Sequence, residues 1–154
     1  MKNRIFHTAI CASTKLPDYG KGRVIDMQKM KMHHIGIATR DLEEMKAYMQ
    51  NLFEITKISE TVYDANQDAN LCMLQLADGT QVELIAGKVV EKLVKKRTFL
   101  YHTCYEVENI EQQIEDLVTQ GSMLVSEPKE AILFANKRVA FLTSELGLIE
   151  LVEA

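Results

Sequence analysis

The chain has 154 residues, 47% of them apolar, enough for a real core in one domain or two small fused modules. Eighteen Lys and Arg stand against 22 Asp and Glu, a net charge of −4, which argues against nucleic acid as a partner. No apolar run reaches the ~20 residues of a membrane span, and Cys11, Cys72 and Cys104 lie too far apart for a disulfide framework or zinc knuckle, which favours a reducing cytoplasm.

Residues 1–31 read as an extension. They carry seven Lys or Arg and two Asp, a balance of +5 that leaves −9 for the rest of the chain. "MKNRIFHTAICAS" imitates a signal peptide, but His7 and Thr8 break its short apolar part, so export is not expected. Met27, Met30 and Met32 would each allow translation to start later.

From residue 32 the elements follow in order. "HIGIAT" predicts a strand, and "DLEEMKAYMQNLF" a helix with Leu42, Met45, Met49 and Leu52 on one face. Asp41 suits its N-cap, with Glu44 three residues on. "ISETVYD", "NLCMLQLA" and "TQVELIAG" predict three more strands, the last two joined through "ADGT", whose Asp-Gly favours a tight turn. "KVVEKLVKKRT" is a basic connector with the makings of a short helix.

Then the order repeats. "YHTCYEV" predicts a strand, and "NIEQQIEDLVTQG" a helix capped by Asn109 and stopped at Gly121, with Ile110, Ile114, Leu117 and Val118 inward. "SMLVSE", "AILFANKRVAFLTS" and "LGLIELVE" predict three strands. The expected fold class is α+β, with two βαβββ modules in tandem enclosing a cleft. The modules span 32–87 and 100–154, with 88–99 as connector. A period near 68 residues is too long for a solenoid and suits two modules about a pseudo-two-fold axis.

Four polar residues interrupt these strands at matched offsets. His34 and Glu83 are 49 apart, His102 and Glu150 48; the histidines are 68 apart and the glutamates 67. Val82 and Leu84 flank Glu83, and Ile149 and Leu151 flank Glu150, so each carboxylate faces a desolvation cost that needs a partner. Taken singly, a strand histidine is most often a satisfied core or edge residue, and a strand glutamate often faces solvent. Their joint recurrence points instead to a divalent cation held by His34, Glu83, His102 and Glu150. By alternation Gly36 and Ala38 share the face of His34 and leave room before its imidazole, while His33 points the other way. Cys104 shares the face of His102 and reads as a small buried hydrophobe or a cavity-lining thiol. Lys137 or Arg138 could anchor a carboxylate or phosphate, or form a solvated strand edge.

The motifs "HHIGIATRDLEE", "GTQVELI", "YHTCYEVENIE" and "KRVAFLTSELGLIELVEA" resemble the vicinal oxygen chelate superfamily, which includes glyoxalase I, methylmalonyl-CoA epimerase, extradiol dioxygenases and fosfomycin- and bleomycin-resistance proteins. The resemblance covers about residues 32–154. Within it, "YHTCYEVENI" and "GLIELVE" look most like the methylmalonyl-CoA epimerase and glyoxalase I branch.

That resemblance implies a glyoxalase-like fold with a mixed sheet cupped around the cleft, and His34, Glu83, His102 and Glu150 at the metal-ligand positions. It also implies a lyase, isomerase or epimerase that abstracts a proton α to a carbonyl of an acyl thioester, such as a CoA ester, or of a hemithioacetal. The metal would stabilise the enolate, with Glu150 and its counterpart Glu83 as catalytic bases. The cation could be nickel, cobalt, zinc, manganese or iron, and the chain a homodimer. Two epimerase features have no match: "ILFANKR" replaces a Gly- and His-containing loop, and "DANQD" lacks a glutamate thought to be a base. The alternatives are a non-catalytic small-molecule or antibiotic-binding resistance protein and a ferrous-iron dioxygenase.

Overall fold

The computed structural model describes residues 29–154; His7, Cys11 and nearly all of the expected extension lie outside them. The first half runs β1 (Lys31–Ala38), α1 (Leu42–Leu52), β2 (Ile55–Ile58), β3 (Val62–Asp64), β4 (Ala69–Leu76) and β5 (Gln81–Gly87). A 3-10 turn (Lys88–Val90) and the short α2 (Glu91–Lys95) occupy the connector. The second half runs β6 (Leu100–Val107), α3 (Ile110–Thr119), β7 (Met123–Glu130), β8 (Arg138–Ser144) and β9 (Gly147–Glu153). Among the described residues no helix is long and apolar enough to cross a membrane.

Local chemistry sets the element ends. Asp41 accepts the amide of Glu44 at 2.9 Å at the start of α1, and Asn109 accepts that of Gln112 at 2.9 Å at the start of α3. Gly79 takes φ +90° in the turn between β4 and β5, where Leu76 N donates to Thr80 O at 2.9 Å. A side chain there would be strained, which is why Asp-Gly marks the turn.

The strands form one mixed sheet in the order β2-β4-β5-β1-β6-β9-β8-β7, with β3 also paired to β4. Each half contributes one parallel pair, β1 with β5 and β6 with β9, and the halves meet where β1 runs antiparallel to β6. Helices α1 and α3 cover one face. Leu42 and Met49 pack there on Cys72, Leu74, Val82 and Leu84, and Ile110 and Leu117 on Ala140, Leu142, Ile149 and Leu151. Burying such side chains stabilises the fold by about 1.5–3 kcal/mol each. Because strand side chains alternate, Glu83 and Glu150 point away from these helices, into the inner face.

The structure departs from the expected strands at three places. "ISETVYD" is not one strand: β2 ends at Ile58 and β3 begins at Val62. Between them the Ser59 hydroxyl accepts Met73 N at 2.9 Å, taking the place of a strand carbonyl, and Glu60 and Thr61 leave the ladder. "AILFANKRVAFLTS" turns through a 3-10 segment (Ile132–Phe134) and left-handed Ala135 and Asn136 before β8. Strand β7 runs past Pro128 to Glu130, which is tolerated because β7 is an edge. Val118 and Leu52 are exposed rather than inward, and Gln113, one turn after Ile110, takes the buried place on α3.

Candidate metal centre

The β1–β6 register builds the site. Gly36 lies opposite His102, and His34 lies opposite Cys104. In the flanking parallel pairs Gly36 is level with Glu83, and Cys104 with Glu150. The same pattern, His-x-(Gly or Cys) beside a glutamate, therefore occurs on both sides of the seam and delivers four heads to its middle.

Those heads converge. His34 Nε2 lies 3.0 Å from His102 Nε2 and 3.2 Å from the Oε2 atoms of both Glu83 and Glu150; His102 Nε2 is also 3.2 Å from both oxygens. All four residues are 1% exposed. Glu150 Oε2 has no hydrogen-bond partner among the described residues despite these short contacts. An acceptor oxygen crowded against two imidazole nitrogens, sealed from water, calls for a cation between them. Ligands about 2.1 Å from a common ion stand ~3.0 Å apart at right angles and ~3.4 Å apart at tetrahedral angles. The observed separations fall in that range, and the nitrogen–oxygen donor set suits a borderline divalent ion. The four residues fit the divalent ion expected from the sequence.

Electrostatics agree. Burial alone would drag the His102 imidazole down, but the facing Glu150 and Glu83 carboxylates outweigh it and raise the group to about 9. His34 is raised by the same balance. Burial would push the Glu150 carboxyl up, yet His102 and His34 hold it well below the usual carboxylate range.

The side chains around the cluster differ from the alternation-based expectation. The room beside Gly36 is filled by His102, not left open before His34: a Cβ on Gly36 would stand 2.5 Å from Nδ1 and 2.6 Å from Nε2 of that ring. His33 does not point away. A bulge between Met32 and His34 breaks the alternation, and His33 Nδ1 comes 2.8 Å from His34 Nδ1. Cys104 is fully buried beside Val139, Phe141 and Val152, and burial with the nearby Glu150 charge pushes its thiol far up, so it is inert. Arg138 belongs to the helix side, where it donates to Glu111 and, at 2.8 and 2.6 Å, to Glu153. Lys137 is exposed in the preceding turn.

Two aromatic walls went unrecognised in the sequence. Phe134 stacks on His34 with ring centres 5.4 Å apart, and Tyr101 and Phe141 meet His102 edge-on at 5.0 and 5.5 Å. The Tyr101 hydroxyl is pushed up to about 12, first by burial and then by the Glu150 and Glu83 charges. Behind each wall lies a cavity. One of about 240 Å³ touches Tyr101, Val125, Val139, Phe141 and Leu148, with Asp64 at its side. The other, about 250 Å³, touches His33, Lys57, Gln75, Gln81 and Phe134.

Comparison with known proteins bears on the fold and the family. No curated protein matches the chain significantly in sequence. Among solved structures, the methylmalonyl-CoA epimerase of Mycobacterium tuberculosis superposes with a TM-score of 0.69 at 24% identity, covering 79% of this chain and 86% of that one. A hypothetical protein of Bacillus halodurans C-125 gives 0.64 at 22% identity, over 82% and 96%. A variant of the Streptomyces coelicolor methylmalonyl-CoA epimerase, solved with 2-nitronate-propionyl-CoA, gives 0.63 at 22%, over 80% and 96%. These likenesses establish the glyoxalase-like fold. The family model for the glyoxalase/bleomycin resistance protein/dioxygenase superfamily matches residues 33–141, so the chain belongs to that superfamily.

Proposed function

We propose that the chain is a metal-dependent enzyme moving a proton at a carbon α to a carbonyl, as an isomerase, epimerase or lyase. The observation that carries this is the convergence of His34, Glu83, His102 and Glu150, with nearest donor atoms 3.0–3.2 Å apart. These four would hold one divalent ion. When bound, that ion would supply Lewis-acid stabilisation of negative charge on a substrate oxygen.

The protein's own groups would do the rest. Glu150 is our choice for the proton carrier, with Glu83 as its counterpart in the other half. Each carboxylate Oε2 stands 3.2 Å from both imidazole Nε2 atoms, which fixes where it would meet the substrate carbon's proton. Their burial excludes water, which strengthens each electrostatic contact. The epimerase structures support a small thioester substrate, CoA-linked or otherwise. We further read 32–87 and 100–154 as duplicated modules joined by 88–99, and the protein as a cytoplasmic homodimer.

Metal analysis of the purified chain, followed by α-deuterium exchange over 2-substituted acyl thioesters and glutathione hemithioacetals, tests the reading. Glu150→Gln should keep the fold and lose exchange. Exchange retained in that variant rejects Glu150 as the carrier. Tight small-molecule binding by the metal-free chain, with no exchange on any substrate, would favour a resistance-type binder.

A further inference from the structure

The cavity behind Phe134 has a chemistry of its own. Its polar wall is a row across four neighbouring strands. Lys57 on β2 is the register partner of Gln75 on β4, and Gln75 is the partner of Gln81 on β5. Gln81 then donates its side-chain amide to the His33 carbonyl on β1 at 3.3 Å. The row ends at the His33 ring, 2.8 Å from the ring of His34. No carboxylate lines this cavity, although the chain from residue 32 onward is strongly acidic, and Lys57 has no carboxylate partner among the described residues. The opposite cavity is more apolar, and its one lysine, Lys129, shares the lining with the carboxylate of Asp64.

Hydrogen-bond roles extend the row to the metal centre. If His34 presents the Nε2 lone pair to a cation, its Nδ1 carries the ring proton and donates it to His33 Nδ1. The proton of neutral His33 then sits on Nε2, on a ring that lines the cavity. Lys57, Gln75, Gln81 and His33 thus offer one ammonium and three neutral groups able to donate, the last on a ring 2.8 Å from that of His34.

The geometry points to this cavity as an oxyanion subsite, seating a carboxylate or phosphate-like arm of the substrate through the Lys57–Gln75–Gln81–His33 row while the rest of the molecule reaches the metal centre. The assignment rests on the proposed metal function but makes a separate claim about charge.

Three probes separate the two claims. Malonate, phosphonoacetate and malonamate share one carboxylate end and differ in the second arm, which is carboxylate, phosphonate or neutral amide. Titrated calorimetrically into the metal-loaded chain, an anionic arm should bind roughly tenfold tighter than the amide, as expected for a charge-assisted contact. The tighter of malonate and phosphonoacetate identifies which oxyanion the cavity takes. Lys57→Met, on an exposed edge strand, should abolish the preference without changing metal affinity, and Lys57→Arg should restore most of it. Equal binding of all three probes, or a preference that survives Lys57→Met, overturns the subsite. A chain that takes up no metal defeats the functional reading instead, and the same probes on the metal-free chain still read the cavity.

Discussion

Gly36→Ala puts one methyl group into the centre of the site. Gly36 sits between β5 and β6, level with Glu83 on one side and His102 on the other. The added Cβ would stand 2.5–2.6 Å from the His102 ring nitrogens. Ordinary carbon contacts lie at about 3.5–4.0 Å, so the ring must retreat by ~1 Å. It has nowhere easy to go: Tyr101, Phe141 and His34 hold it with ring centres at 5.0, 5.5 and 5.2 Å. Overpacking of this kind costs about 1–3 kcal/mol of stability, partly offset by ~0.5–1 kcal/mol from removing a strand glycine. The effect on metal is larger, because ligand distances tolerate only about ±0.2 Å. Disturbing an outer partner of a ligand typically costs 10–100-fold in affinity, so displacing the ligand itself should cost at least about 100-fold. Competition titration against a metal-sensitive dye measures this, and thermal melts of the metal-free form check the fold. Gly79→Ala is the control. It strains a turn at φ +90° but meets nothing within 4 Å, so it should cost about 1 kcal/mol and spare metal affinity. A Gly36→Ala protein that binds metal within threefold of the parent would refute the packing argument.

Three further outcomes are expected. The metal-free chain should lose stability as pH rises: His34 and His102 are raised above the ~6.5 of an unfolded histidine, so their contribution is complete below that pH. The His102 share disappears as pH climbs through about 9. Melts of stripped protein from pH 6 to 9.5 should therefore show a falling midpoint, less steep in His102→Gln, and a flat or rising midpoint would contradict the charge balance. Replacing His33 with Phe removes the 2.8 Å contact to His34 Nδ1 and should weaken metal binding about 10–100-fold with the fold intact, read by the same dye competition. Arg138→Met breaks its pairs with Glu111 and Glu153, which solvent screens, and should change the melting midpoint little and leave α-deuterium exchange unchanged. A loss of exchange there would return Arg138 to the role of substrate anchor.

The four converging heads were legible because they recur at matched offsets. One histidine in "HIGIAT" says little, but a second, 68 residues on, with glutamates at the same offset, is hard to produce by accident. The helices were legible because Asp41 and Asn109 cap them and their apolar residues recur at helical spacing. What failed were features that depend on the partner strand. Alternation from His34 outward assumed a regular ladder, and the bulge beside Met32 brought His33 to the wrong side of that assumption. Gly36 was read as space for its own strand's imidazole, because the β1–β6 register that places His102 there is a long-range fact. Phe134 looked like a strand residue. Only the left-handed turn at Ala135 and Asn136, which no glycine announces, shows that the chain doubles back over the site.

The seam between the halves is short. Regular pairing of β1 with β6 spans His34–Gly36 against His102–Cys104 and is interrupted by an irregularity at each end. The four heads straddle that line, so a bound cation would act as a rivet through the strand pairing that joins the two halves. Stabilisation by such a rivet follows the free ion concentration, reaching about 2.7 kcal/mol at a hundred times the dissociation constant. The catalytic centre and the mechanical joint of this protein would then be the same atoms, and starving it of metal would loosen its architecture as it silences its chemistry.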